Sequence, residues 1–162
     1  MDNTRKIIIA VVLLVAAAGI TYWNLSRKGG PETTTGVYFY DLSEGELFAA
    51  SSDKIPPFER GGATAVRAHV YVCESGGEQF IGFLEKFGPQ AQGMIQGVMK
   101  NTKMGSPQQL IAQGQISPDQ HLVASPDAPE EWHPANSRQG RQITSAPRGR
   151  CNGGAKEVNP GE

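Results

Sequence analysis

The chain has only 2 cysteines and 3 histidines among its 162 residues, and it carries none of the local patterns that make a catalytic or cofactor site readable from sequence. There is no glycine-rich phosphate loop ending in Gly-Lys-Ser/Thr, no dinucleotide fingerprint, no His-Glu-x-x-His and no Gly-x-Ser-x-Gly elbow. A haem-attachment or thioredoxin-type cysteine pair is missing as well. An enzyme built from distant residues stays open, because a triad need not be local, but no catalytic residue, cofactor or metal is expected. Basic charge is scarce beyond the first 28 residues. Arg5, Lys6, Arg27 and Lys28 flank the N-terminal apolar run, which leaves 11 basic against 15 acidic residues from Gly29 onward. That balance, a net charge of about −4, argues against nucleic acid as a partner.

What is present begins with Ile7 to Ser26, IIIAVVLLVAAAGITYWNLS, an uncharged run. At about 1.5 Å per residue it makes a helix of about 30 Å, the thickness of a bilayer's hydrocarbon core. Basic residues stand on both sides, and Tyr22 and Trp23 lie where amphipathic rings favour the headgroup layer. The sequence therefore predicts a single-pass membrane anchor over 1–28, with the N-terminus cytoplasmic and an extracytoplasmic, periplasmic-side domain. The rival reading is a cleaved secretory signal with Ala16-Ala17-Ala18 before the cut. Both readings export the remainder. The Ala-rich run also offers a surface for oligomerisation through the anchor.

About 135 residues follow, enough for one domain with a modest core. Residues 29–36 (GGPETTTG) read as a flexible tether. Residues 37–42 and 46–50 are rich in β-formers and meet across Gly45, which predicts a hairpin. DKIPPFERGG, 53–62, is a loop. Ala65 to Cys73 alternates, with Val66, Ala68, Val70 and Val72 on one face and Arg67, His69, Tyr71 and Cys73 on the other. Glu74 to Glu78 turns the chain, and Gln79 to Phe87 runs back as a second hairpin. Nine of the ten aromatics beyond Gly29 fall between Tyr38 and Phe87, so the core is placed there.

Pro89 opens a helix through about Lys103, with Ala91, Met94, Ile95 and Val98 at helical spacing. Gly93 and Gly97 weaken it, and their small size suggests close approach to the sheet. Residues 108–116 and 121–124 supply short strands or extended segments. SPDAPEEWHPAN, 125–136, is a polar loop with Trp132 docked on the domain, and Ser137 caps a short helix over Gln139 to Ile143. The tail, 144–162, is rich in Gly, Pro and Arg and is expected to be mostly disordered. The fold class expected is α+β: a single transmembrane helix, then a domain over 37–143 with an antiparallel sheet of about four strands, one packing helix and an irregular C-terminal segment.

VYFYDL, GELF, DKIPP, VRAHVY and FIGFLEKF between Val37 and Phe87, with the later WHPANS, resemble a group of membrane-anchored proteins of planctomycete-type bacteria. The resemblance covers about half of the chain. It implies no activity, and it implies membrane attachment. Members of the group often place a second cysteine directly after the first, whereas Cys73 is followed by Glu74, Ser75 and Gly76, so no paired-thiol role carries over.

Cys73 and Cys151 have two readings: one disulfide, closing a loop of about 79 residues, or two separate thiols. His69 and Cys73 are two alternate positions apart on one strand face, too far to bind one metal unaided. Glu130, Glu131, Trp132 and His133 cluster in one loop, and Trp132 with His133 is the candidate interaction surface. The function these observations support is a non-catalytic binding or assembly module of the bacterial envelope, whose partners are the membrane and another envelope protein. The alternative is a small membrane-tethered metal-binding or thiol-redox enzyme using Cys73 with His69 or His133.

Overall fold

The computed structural model describes residues 36–101, 107–151 and 154–161. Its centre is an 11-residue strand, β4 (Ala63–Cys73), in which the alternating residues give each face its own character. Both edges of β4 are occupied. On one edge β1 (Gly36–Asp41) pairs with residues 65–67 and β8 (Ala155–Val158) with residues 70–73. On the other, β3 (Phe58–Arg60) pairs with residues 63–65 and β5 (Phe80–Phe87) with residues 67–71. The sheet extends outward from β1 to β2 (Leu47–Ser51), and from β5 to β6 (His121–Ala124) and β7 (His133–Pro134). All these pairings are antiparallel.

The β1–β2 turn shows how the local sequence makes its own geometry. The Asp41 carboxylate accepts from the backbone N–H of Ser43 at 2.9 Å and of Glu44 at 3.0 Å. Gly45 then reverses the chain with φ +69°, a region closed to most side chains. One sheet face buries Val66, Ala68, Val70, Leu84, Ala124 and Val158, with Tyr38, Tyr40 and Trp132 packed around them. A second cluster forms where helix α1 (Pro89–Asn101) and helix α2 (Pro107–Ala112) close on the end of β5: Phe87, Ala91, Ile95, Leu110 and Ile116.

Several expectations are corrected here. Among the described residues the sheet has eight strands rather than about four: 121–124 forms the expected extended segment as β6, but β3 arises within the expected loop 53–62, and β3, β7 and β8 are too short to show an alternation and exist only through pairing with neighbours. The described residues hold three α-helices rather than one packing helix and a short one over 139–143: α2 forms where 108–116 is expected to be extended, and α3 (Arg138–Arg150) runs on past Ile143. The irregular C-terminal segment is replaced by order: residues 144–150 complete α3 and residues 155–158 form β8. Met94 is exposed, and a Cβ at Gly93 or Gly97 would meet nothing within 4 Å, so these glycines face away from the sheet.

The membrane reading is also corrected. Among the described residues no helix is long and apolar enough to cross a membrane. Helices α1 and α3 have 13 residues each, about 20 Å against the ~30 Å of a hydrocarbon core. The run Ile7 to Ser26 lies outside the described residues, as does the tether up to residue 35. The single-pass anchoring and the extracytoplasmic location that depended on them therefore find no support among the described residues.

Candidate functional site

The face of the sheet opposite the Val66–Ala68–Val70 row carries charge. Register puts Glu85 of β5 across from Arg67 of β4, Phe83 across from His69, and His121 of β6 across from Phe87. A bulge between His69 and Val70 shifts the β4–β5 pairing there. On the other edge of β4, Glu157 of β8 pairs with Tyr71. Cross-strand neighbours share a face, so four strands that never touch in sequence bring two carboxylates, two imidazoles and a guanidinium together.

These groups form one continuous chain. Glu157 Oε1 lies 2.7 Å from His69 Nδ1, and His69 Nε2 lies 3.3 Å from Glu85 Oε2. Arg67 Nε stands 3.9 Å from the same Oε2. The other oxygen, Glu85 Oε1, is 2.6 Å from His121 Nε2. Phe83 stacks on the His69 ring at 4.1 Å between centroids, and Phe87 on the His121 ring at 5.5 Å.

Protonation follows from the partners. Both nitrogens of His69 face carboxylates that only accept, so His69 is an imidazolium donating from each nitrogen. Burial by itself lowers its pKa, but the hydrogen bonds to Glu157 and Glu85 and their charges outweigh that effect and raise it. Glu85 is only 3% exposed. Burial pushes its carboxyl upward, yet the hydrogen bonds from His121 and His69 and their charges hold it well below the usual carboxylate range. In Glu157 the hydrogen bond from His69 is the largest influence and lowers the carboxyl, partly opposed by burial. Two cations, Arg67 and His69, thus face two carboxylates.

The chain ends at an opening. His121 lines a cleft of about 570 Å³ together with Ile111, Ile116, Pro118, Ala135 and Asn136. Helix α2 and a 3₁₀ turn over Pro118–Gln120 form one side. Residues 135–136, which follow β7, form the other, tied to β6 by Ala135 N–H donating to His121 O at 2.8 Å. The cleft is therefore apolar apart from His121 and Asn136, and its size suits a small organic molecule.

The structure places the residues singled out by sequence as follows. Cys73 and Cys151 form a disulfide with Cα atoms 5.3 Å apart, so neither thiol is free for redox or metal chemistry. His69 is spent on its two carboxylates and points to neither cysteine chemistry nor a metal; among the described residues no group of three or more His, Cys, Asp or Glu is arranged to hold a metal ion. Trp132 packs against the apolar face, with Lys86 Nζ 4.0 Å over its ring. His133 pairs with Val123 in β7, a half-buried position away from Cys73. The sequence by itself does not pair His121 with Glu85. The available signal was Phe83, Glu85 and Phe87 at alternate positions, a carboxylate set between two phenylalanines on one strand face.

No protein-family model, no curated protein and no solved structure matches the chain.

Proposed function

We propose that this domain is a non-catalytic binding module whose ligand occupies the cleft beside His121. The observation that carries the reading is the combination of apolar walls with one histidine held in place from behind by a buried glutamate. Ile111, Ile116, Pro118 and Ala135 offer desolvation to an apolar ligand, while the Glu85–His121 bond fixes the orientation of a single polar group. Preorganisation of that kind reduces the ordering cost of binding.

A fragment library screened by protein-observed NMR tests this, with Ala135→Trp as a variant whose cleft is filled. Fragments that move the amides of Ile111, Ile116 and His121 in the native protein should lose their effect in Ala135→Trp and be recovered chemically unchanged. Shifts that persist in the filled variant overturn the site. A fragment recovered in altered form overturns the non-catalytic reading and makes the Glu85–His121 pair an acid–base dyad.

A further inference from the structure

Four strands of the sheet have a single partner each among the described residues: β2, β3, β7 and β8. An edge of that kind presents unpaired backbone groups, and charges or proline commonly guard it. β3 carries Glu59 and Arg60, β7 ends on Pro134, and β8 carries Lys156 and Glu157. β2 reads Leu47-Phe48-Ala49-Ala50-Ser51 and has neither guard. The direction of its backbone groups is set by β1. Asp41 N–H donates to Glu46 O at 2.9 Å, and the Ala50 carbonyl oxygen lies against Gly36, 2.7 Å from where a Cβ would stand. Residues 46, 48 and 50 therefore face β1, and by the alternation of an antiparallel ladder Leu47, Ala49 and Ser51 turn their N–H and C=O groups outward. Apart from Ser51 O, which accepts from Lys54 N–H at 3.2 Å, these outward groups have no partner among the described residues. The three side chains are exposed as well, Leu47 by 40%.

We infer that β2 pairs antiparallel with β2 of a second copy of this chain, across a two-fold axis beside Ala49. The outward groups are self-complementary in that arrangement: Ala49 faces the copy's Ala49, each donating to the other, and Leu47 faces Ser51 in both directions. On the exposed face Leu47 then lies diagonal to the copy's Ala49 and covers its methyl group. On the other face Phe48 lies diagonal to the copy's Phe48, within reach of an aromatic side chain. Charge selects the direction. Glu44 and Glu46 stand at the start of β2, and its end leads into Asp53 and Lys54, whose charges cancel. Parallel pairing would set the two acidic starts side by side, whereas antiparallel pairing sets each against a neutral end that carries a cation. Length bounds the strength. Five residues give an edge of about 17 Å, which buries less than the ~1,200 Å² of a stable complex, so the association is weak and depends on concentration.

The full chain is diluted from about 1 mM to about 10 µM, the range of a weak contact, while hydrogen exchange is followed at the amides of Leu47, Ala49 and Ser51 beside those of Val66 and Val70. The expected result is several-fold slower exchange at the three edge amides at high concentration, reversed by dilution, with Val66 and Val70 unchanged. Ala49→Lys and Ala49→Glu alter an exposed position, and the two-fold sets each new charge opposite its own copy. Each variant alone should lose the concentration dependence, and an equimolar mixture should regain it, because lysine then meets glutamate. Native edge amides that exchange equally at all concentrations overturn the pairing. So does an Ala49→Lys chain that keeps the dependence, and a mixture that does not regain it removes the axis from Ala49. If the native edge is indifferent to concentration but is slowed by an added extended peptide of alternating valine and threonine, the edge takes a foreign strand and the second copy is overturned as its occupant. The dilution series uses the native chain alone, so it decides the matter even if a variant does not fold.

Discussion

Glu85 is the residue on which the charged face depends, because it is the one carboxylate that touches both histidines and the arginine. Ionised and 3% exposed, it would be untenable alone: a buried charge survives only where its partners replace the water it has lost. Removing it takes from the buried His69 imidazolium one of its two carboxylates and from half-buried Arg67 the carboxylate 3.9 Å away, and breaking one partner of such an arrangement costs more than the arrangement contributes. Glu85→Gln should therefore destabilise the protein by about 3 kcal/mol, read as a lower urea midpoint with an unchanged slope. A loss below about 0.5 kcal/mol would mean that the site is wetter than its geometry indicates. In the sequence Glu85 sits in FIGFLEKF, flanked in alternation by Phe83 and Phe87. That pattern marks it as inward-facing, but its partners come from β4, β6 and β8 and are set by register, which a single strand's sequence does not contain.

Among the elements, α3 and β8 depart furthest from the sequence reading. The helix starts where Ser137 indicates, its Oγ accepting from Gly140 N–H at 3.0 Å, a bond that satisfies one of the first-turn donors. Pro147 and Gly149 then suggest an early end, since proline removes an intrahelical bond and glycine adds backbone entropy. Docking overrides both. Pro147 fills the space over Gly82, where a Cβ would collide with it, and Arg150 lies 4.3 Å over the Phe80 ring. Gly140 lets the first turn approach the Pro134 carbonyl so closely that a Cβ would clash. The helix ends at Cys151, whose bond to Cys73 ties it to the end of β4. From there the chain returns as β8, which sets Glu157 against His69. The disulfide thus holds the element that completes the charged chain. Cys73→Ala with Cys151→Ala should lower stability by about 4 kcal/mol on the chain-entropy account of a loop with sequence separation 78. Hydrogen exchange at residues 155–158 should accelerate more than at residues 65–68 of β4. Equal acceleration at both would show that β8 does not depend on the bridge.

For the molecule as a whole, the charged chain sets a pH window. Glu85 and Glu157 are held below the ordinary carboxylate value of 4.5, so their contribution is present above about pH 4.5 and fades as the pH falls through their folded values. His69 is held above 6.5, so its contribution is complete below about pH 6.5 and is lost as the pH rises through its folded value. Unfolding midpoints measured from pH 3 to 9 should be highest between about 4.5 and 6.5 and decline on both sides. In His69→Gln the alkaline decline should flatten relative to the native protein. A native midpoint that holds level from pH 6 to 9 would show that His69 gains no proton on folding.

Composition and alternation by themselves determined where the strands with long periodic patterns lie. Ala65 to Cys73 shows the period-2 pattern of β4, the aromatics from Tyr38 to Phe87 mark the sheet that carries the core, and Asp41 with Gly45 makes its turn locally. These are short-range properties, and each is satisfied within a few residues of itself. Only the tertiary structure decided that β3, β7 and β8 exist, that 144–150 is helical, and that His69, Glu85, His121 and Glu157 form one chain ending at a cleft. The physical reason is that each of those features draws its stability from a partner far along the chain: a short strand has no hydrogen bonds until a neighbour provides them, and a buried charge has no place until its counter-charge is beside it.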